Sequence, residues 1–496
     1  MRSKFFFLLS IFSLWANDDV PILTEDQSYI FRIAESYREL AQYDTAINWY
    51  KTVLEKKGPP DLIWGSKYGL GLCFEAQGKW PEALFWFLEA YQYNSVSLDP
   101  LLLIAKHYRF QNQNDLAYLF AKQGSRFTPS TDYRFDEELS IVAFYTRYRE
   151  DGYKAASDLL LRKDTPWHIK AQAYENILFY VQNLKNTRFQ PILIDLPPVI
   201  EHSTESYSPM NPSILKTQTG YKVICRTVNY TQFGARDFFT NDPNGYIRTR
   251  NYLLTYDKSF KLLSQQEIID NLPREKYPSS IVLGLEDCRI FEWNHSTWFS
   301  CGTRDTNPAG IPQISLCSIP EATGETLSID RLIPLDGPDP YRCEKNWLPF
   351  VEGGDLYFIY KYHPFTVYKP NLYTGSCETI IQYEPTHDLS LFRGSAGPIP
   401  FDNGYLLLVH EYVNHADSTR CYLHRFVYLD KHYMVKLVSK PFTFLHQGIE
   451  FCNSMTTDHT GKTLILALGI EDAKAYLCFT DLELVRSLLY PLQPNL

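Results

Sequence analysis

Tyr405-Leu406-Leu407-Leu408-Val409 and Leu464-Ile465-Leu466-Ala467-Leu468 are short apolar runs, each bounded by turn residues. Tyr221-Lys222-Val223-Ile224-Cys225 and Leu356-Tyr357-Phe358-Ile359-Tyr360 read the same way. From Leu215 onward such runs recur between Gly, Asn, Asp and Pro, the signature of strands in a sandwich, barrel or propeller. A stretch of about 285 residues could hold about five four-stranded blades at the usual repeat length.

Toward the N-terminus the texture changes. Pro191, Pro197, Pro198, Pro209 and Pro212 break any helical pattern around the junction. Before them, residues 24–185 read helical. Ala46, Ala83 and Ala117 stand 37 and 34 residues apart, each within a similar frame of aromatic and aliphatic residues. Small residues at a period near 34, where paired helices touch, look like tetratricopeptide repeats. A weaker unit runs from Ile141 through Tyr153 and Ala155, and a helix over 171–184 would cap the stack. The expected fold is multidomain, α plus all-β. Helical repeats at 24–185, a linker at 186–206 and a strand-rich domain at 207–496 make up its parts. The repeat face is expected to hold a protein partner that nothing in the residues identifies.

The chain has 496 residues, too many for one ordinary core. Apolar residues make up 45%, which argues against disorder. A formal net charge of −9 gives no electrostatic reason to expect nucleic acid. Met1 to Lys4 is basic, Phe5 to Trp15 is apolar, and Ala16 precedes acids, so residues 1–16 read as an export signal. That run is too short to span a bilayer, and no later run is long and apolar enough for a membrane span. The ten cysteines lack any C-x-x-C pair, which suits a reducing compartment better and keeps a cytoplasmic location open. Tyr 36, Phe 31 and Trp 9 fit a sugar-binding cleft or simply a β-rich domain.

The chemistry-bearing segment is Gly284-Leu285-Glu286-Asp287-Cys288-Arg289. Charge at a strand end is costly to bury unless paired. Asp287 beside a cation in a cleft could do acid chemistry, or could close a turn. His363, His387, His410, His415 and His424 lack metal-ligand spacing, and no P-loop or dinucleotide fingerprint is present, so neither metal nor cofactor is expected.

In chain order the motifs are Asn211-Pro212-Ser213, Cys225-Arg226, Glu286-Asp287-Cys288-Arg289, Glu344-Lys345-Asn346-Trp347 and Tyr360-Lys361-Tyr362-His363-Pro364. They continue with Arg393-Gly394-Ser395, Pro398-Ile399-Pro400, Gly404-Tyr405-Leu406 leading to His410, Tyr422 to Phe426, and Gly469-Ile470-Glu471-Asp472. The series resembles glycoside hydrolase family 130, the β-mannoside phosphorylases and hydrolases, and the mannosyltransferases similar to them. The resemblance covers residues 207 to 485 and implies a five-bladed β-propeller with a central active site. It implies Asp287 as general acid. It implies a substrate- or phosphate-binding set of Arg226, Arg289, Lys345, Asn346, Lys361 and His410. The implied substrate is an oligosaccharide, sugar phosphate or sugar nucleotide. Cys288 replaces the family's proline, Val409 its tyrosine before histidine, and Lys361 an arginine. Lysine does not hold phosphate bidentately. These departures leave transfer, phosphorolysis and hydrolysis open, with a non-catalytic glycan-binding scaffold as the alternative. Asp472 reads as a structural residue closing a blade.

Overall fold

The computed structural model describes residues 26–128, 132–162, 165–195, 207–233, 237–240, 242–274, 277, 281–320, 324–386, 389–414 and 420–491. The leader-like stretch 1–16, His387 and His415 lie outside them. The chain divides into two compact units, Met1–Asn176 and Ile177–Leu496. Among the described residues no helix is long and apolar enough to cross a membrane.

The first unit is built of consecutive helices, from Gln27–Glu39 and Tyr43–Glu55 through Pro60–Ala76, Trp80–Tyr93, Asp99–Phe110 and Asn114–Phe127. Arg134–Val142 and Arg149–Leu161 follow. The repeat is written in its turns as well as its alanines. Ala41, Gly78 and Asn112 all have a left-handed backbone, with φ of 57°, 73° and 57°, and they keep the same spacing as Ala46, Ala83 and Ala117. After each, the backbone N–H of Gln42, Lys79 or Gln113 donates five residues back, to Tyr37, Phe74 or Tyr108, at 2.9 Å. This cap satisfies carbonyls that the helix end leaves unpaired. The alanines are fully buried. Gly71 lets two helices meet: a Cβ there would stand 2.5 Å from the ring of Phe87. Gly71→Val is therefore expected to cost about 1–3 kcal/mol through overpacking. An unchanged urea midpoint would contradict that close approach. Where a helix over 171–184 is expected, the helix runs over Trp167–Tyr180, and Gln182–Asn183 is instead a strand that pairs in parallel with Phe442–Thr443.

The second unit carries successive sheets. Sheet I contains Ser208–Lys216, Gly220–Val228, Ile247–Asp257 and Leu262–Ile269. Sheet II contains Glu286–Trp293, Ser296–Thr303, Gln313–Ile319 and Arg331–Pro334. Sheet III contains Leu348–Glu352, Asp355–Tyr362, Phe365–Pro370 and Cys377–Tyr383. Sheet IV contains Arg393–Phe401, Gly404–Asn414, Arg420–Asp430 and Val435–Ser439. Sheet V contains Glu450–Thr457, Thr463–Ile470 and Lys474–Asp481. The first strands of sheets I to V touch in cyclic order, and the arrangement is propeller-like.

The apolar runs now have a physical account. Leu464, Leu466 and Leu468 pack in a core with Leu406, Leu408 and Phe426 of sheet IV. Ile465 and Ala467, on the opposite face, pack with Val223, Cys225 and Leu254 of sheet I. Side chains alternate across a strand, so a strand covered on both faces reads as continuously apolar. Leu406 and Leu408 against Leu407 and Val409 divide in the same way between two cores. Uniform four-stranded blades are not what forms. Sheet I has six strands and sheet IV seven, because short segments such as Thr326–Ser328 and Leu489–Pro491 pair with outer edges that would otherwise stay open. Arg188–Pro191, in the stretch read as linker, is the fourth strand of sheet V and pairs antiparallel with Lys474–Asp481.

Candidate functional site

In an antiparallel hairpin the start of the first strand and the end of the second lie at the same end. In sheet I these are Asn211 and Arg226; in sheet II, Glu286, Asp287 and Arg304. Lys345 and Asn346 precede sheet III, Arg393 and His410 belong to sheet IV, Phe451 belongs to sheet V, and Asp472 lies in the turn after its strand Thr463–Ile470. All of them line one cavity of about 420 Å³.

The strand starts are irregular there. Pairing slips between Met210 and Ser213, Glu286 and Arg289, Gly394 and Ala396, and Cys452 and Ser454. Asn211, Asp287, Asn346 and Asp472 have φ of 42°, 51°, 63° and 48°. Such left-handed non-glycine residues cost of order 1 kcal/mol each and cluster where strain is put to use. Polar bonds across sheets hold them. Asn453 Nδ2 of sheet V donates to the carbonyls of Asn211 at 3.3 Å and Cys288 at 2.9 Å. The Ile290 N–H of sheet II donates to Ser213 Oγ of sheet I at 2.8 Å.

Asp287 is the centre of the charge network. Its Oδ1 accepts from Arg226 Nη1 at 2.8 Å and from Asn211 Nδ2 at 2.9 Å. Glu286 Oε1 accepts from Arg304 Nε at 2.9 Å, and its Oε2 lies 3.6 Å from Lys345 Nζ and 3.7 Å from Arg226 Nη2. Burial pushes the Asp287 carboxyl up, but Arg226 and Lys345 outweigh it and hold it at about 2. Glu286 is likewise held down: burial is outweighed by Lys345, Arg226 and Arg304. Asp472 goes the other way. Burial, supported by Asp287 and opposed by Arg226, raises it to about 6, and its Oδ2 accepts from the Tyr230 hydroxyl at 3.3 Å. Two carboxyls of one cavity are thus driven apart.

A raised carboxyl contributes fully below its unfolded value, and the contribution is lost as pH rises through about 6. Asp472→Asn stays neutral. It is expected to match the parent at pH 4 and to exceed it at pH 8 by about 1–3 kcal/mol in urea unfolding. Equal stability at both pH values would refute the shift.

Of the residues singled out by the sequence, Arg226, Asp287, Lys345, Asn346 and His410 face the cavity. Arg289 does not line it. Its guanidinium is buried, with Nη2 3.4 Å from Asn346 Oδ1 and 3.5 Å from the Ser395 carbonyl. Lys361 also lies outside the lining. Its ammonium sits 5.0 Å from the Tyr360 ring, and its pairing with the next strand slips between Ile359 and Lys361. His410 is not a cation: burial, then His424, Arg393 and Arg289, push its imidazole well down, and Nδ1 meets Ser395 Oγ at 2.8 Å. Glu344 turns into the sheet, accepting from Trp347 Nε1 at 3.0 Å and the Tyr360 hydroxyl at 3.1 Å. Cys288 is a core residue, packed with Ile224, Leu253 and Phe299. Arg304, Arg393, Arg420, Tyr230, Tyr412 and Asp472 were given no site role by the sequence. Arg393 and Asp472 stand in the ordered motif series, and for the other four the one available signal was position at or near a strand end of this strand-rich half.

No family model matches the chain, and no curated protein matches it. Among solved structures it is similar to a β-1,2-mannobiose phosphorylase from Listeria innocua, with 13% identity over 59% of this chain and 94% of that one and a TM-score of 0.41. It is similar to a GDP-Man-dependent mannosyltransferase from Leishmania mexicana, with 11% identity over 64% of this chain and 95% of that one and a TM-score of 0.37. It is similar to a TPR protein from Thermus thermophilus, with 12% identity over 31% of this chain and 99% of that one and a TM-score of 0.21.

Proposed function

We propose that residues 177–496 form a five-bladed propeller enzyme that transfers or phosphorolyses mannose-like sugars, and that the helical unit engages a protein partner. The observation that carries the reading is the gathering of Asp287, Arg226, Lys345 and Asn346 on one cavity. In an inverting displacement at a sugar carbon, the leaving oxygen takes a proton while a nucleophile attacks the opposite face. If that nucleophile is phosphate, no second carboxylate base is needed. Arg226 and Lys345 would hold the anion, Asn346 would orient it and Asp287 would supply the proton. In the reverse sense the same cations would stabilise a phosphate leaving group.

The ionised state of Asp287 fits this order of events. The cations that hold it ionised are the ones an anion would take. Once they are shared with a phosphate, the carboxyl rises toward a value at which it can carry a proton. The test is to incubate the full chain with mannose 1-phosphate or GDP-mannose and mannosyl acceptors, with products read by mass spectrometry. A mannosylated product is expected, and its absence across the panel would sink the reading. The pinning of Asp287 by Arg226 and Asn211 also suits a non-catalytic glycan-binding site. Glycan-array binding that survives Asp287→Ala, with no turnover, would favour that second reading.

A further inference from the structure

Two arginines of the cavity wall stand apart from the network around Asp287. Arg393 opens the first strand of sheet IV and Arg420 its third. Their guanidinium carbons lie 4.0 and 5.3 Å from the centroid of the same ring, Tyr412. Arg420 Nη1 reaches the Tyr422 hydroxyl at 3.4 Å, and its Nε is buried with no hydrogen-bond partner. Among the described residues neither arginine has a carboxylate at salt-bridge distance, whereas Arg226, Arg304 and Lys345 each face Glu286 or Asp287.

That is an unbalanced arrangement. Two like charges gathered on one ring repel, and the ring's attraction for a cation is weak at an accessible site. An anion in the cavity within reach of both guanidiniums would offset that repulsion. Backbone packing ties this wall to the Lys345 side of the cavity. A Cβ on Gly394, next to Arg393, would stand 2.3 Å from the Asn346 carbonyl oxygen, so the two segments lie in direct contact.

We propose that Arg393 and Arg420, carried by Tyr412, form a second anion subsite of this cavity that takes a phosphoryl group in addition to the one assigned to Arg226 and Lys345. Planar guanidinium forks suit the oxygens of a phosphate. The ligand would then carry or bring two phosphoryl groups, either as a diphosphate or as a phosphate on a second sugar. The proposal rests on the sugar-phosphate reading of the cavity only for the identity of the ligand.

Calorimetric titration of the full chain tests it, with inorganic phosphate, pyrophosphate and a sugar 1,6-bisphosphate as probes. Pyrophosphate or the sugar bisphosphate, or both, should bind at least tenfold tighter than phosphate. Arg420→Gln and Arg393→Gln should each remove that advantage while leaving phosphate binding within twofold. Which probe loses its advantage identifies the source of the second group. Arg393 is exposed, so its replacement keeps the test valid if Arg420→Gln folds poorly. Equal binding of all three probes, binding of none, or loss of phosphate binding in both variants would overturn the subsite. An intact advantage without any sugar turnover would leave the subsite standing and remove only the glycosyl-transfer reading.

Discussion

Asp287→Asn is expected to lower turnover by roughly 10²–10⁴-fold, the usual weight of a positioned proton donor. The same change should strengthen anion binding. In the parent, Asp287 accepts from Arg226 at 2.8 Å and draws on the field of Lys345, so an incoming anion must compete with it. A neutral amide of nearly the same shape does not compete. Sulfate, which does not titrate near neutrality, is the suitable probe. Its affinity should rise several-fold in Asp287→Asn while turnover collapses, a split that a purely structural carboxylate would not produce. The pH profile carries a second signature. In the free protein Asp287 sits at about 2, so kcat/KM should decline from acid pH upward. In the anion complex the carboxyl is raised, so kcat should hold to higher pH before it falls. Undiminished turnover in the variant would remove Asp287 from the chemistry.

Arg226→Leu should destabilise the fold by about 3–5 kcal/mol, because removing one partner of a buried ion pair leaves the other charge uncompensated. Arg226 is 4% exposed and Glu286 7% exposed. Without the arginine, Glu286 and Asp287 face each other, with Lys345 and Arg304 as the remaining cations. Adding Asp287→Asn should recover part of the loss, since it removes one of the two stranded charges. Acid should do the same. Without Arg226 the largest of the influences that hold the Asp287 carboxyl down is gone, so it takes a proton at higher pH than in the parent, and the deficit seen at pH 7 should shrink toward pH 4. Urea unfolding of the two variants at both pH values reads all of this. A loss under about 1 kcal/mol would mean that the pair is solvated rather than buried.

The organisation of the chain was legible because periodicity is local. The 37- and 34-residue spacing of Ala46, Ala83 and Ala117 reappears in the left-handed turns at Ala41, Gly78 and Asn112. The runs at Tyr405–Val409 and Leu464–Leu468 became strands covered on both faces. Arg188–Pro191 was not legible as a strand, because its partner lies almost 300 residues away and nothing in four residues names it.

At the site the division is sharper. The ordered motif series singled out Asp287, Arg226, Lys345 and Asn346 through its resemblance to a known family, and all four line the cavity. It could not separate them from Lys361 or Arg289, because a slip of one residue in pairing moves a side chain to the other face. The slip at Ile359/Lys361 carries Lys361 away, and the one at Glu286/Arg289 accompanies Arg289 out of the lining. Nor could order show that Asp472 and Asp287 share one field, that His410 is neutral, or that Arg393 and Arg420 converge on Tyr412. Local residue pattern showed where most helices and strands run and which acid stands among cations. Tertiary structure decided which of those charges meet and which stay ionised, because burial and distance, not residue type, set the strength of an electrostatic interaction.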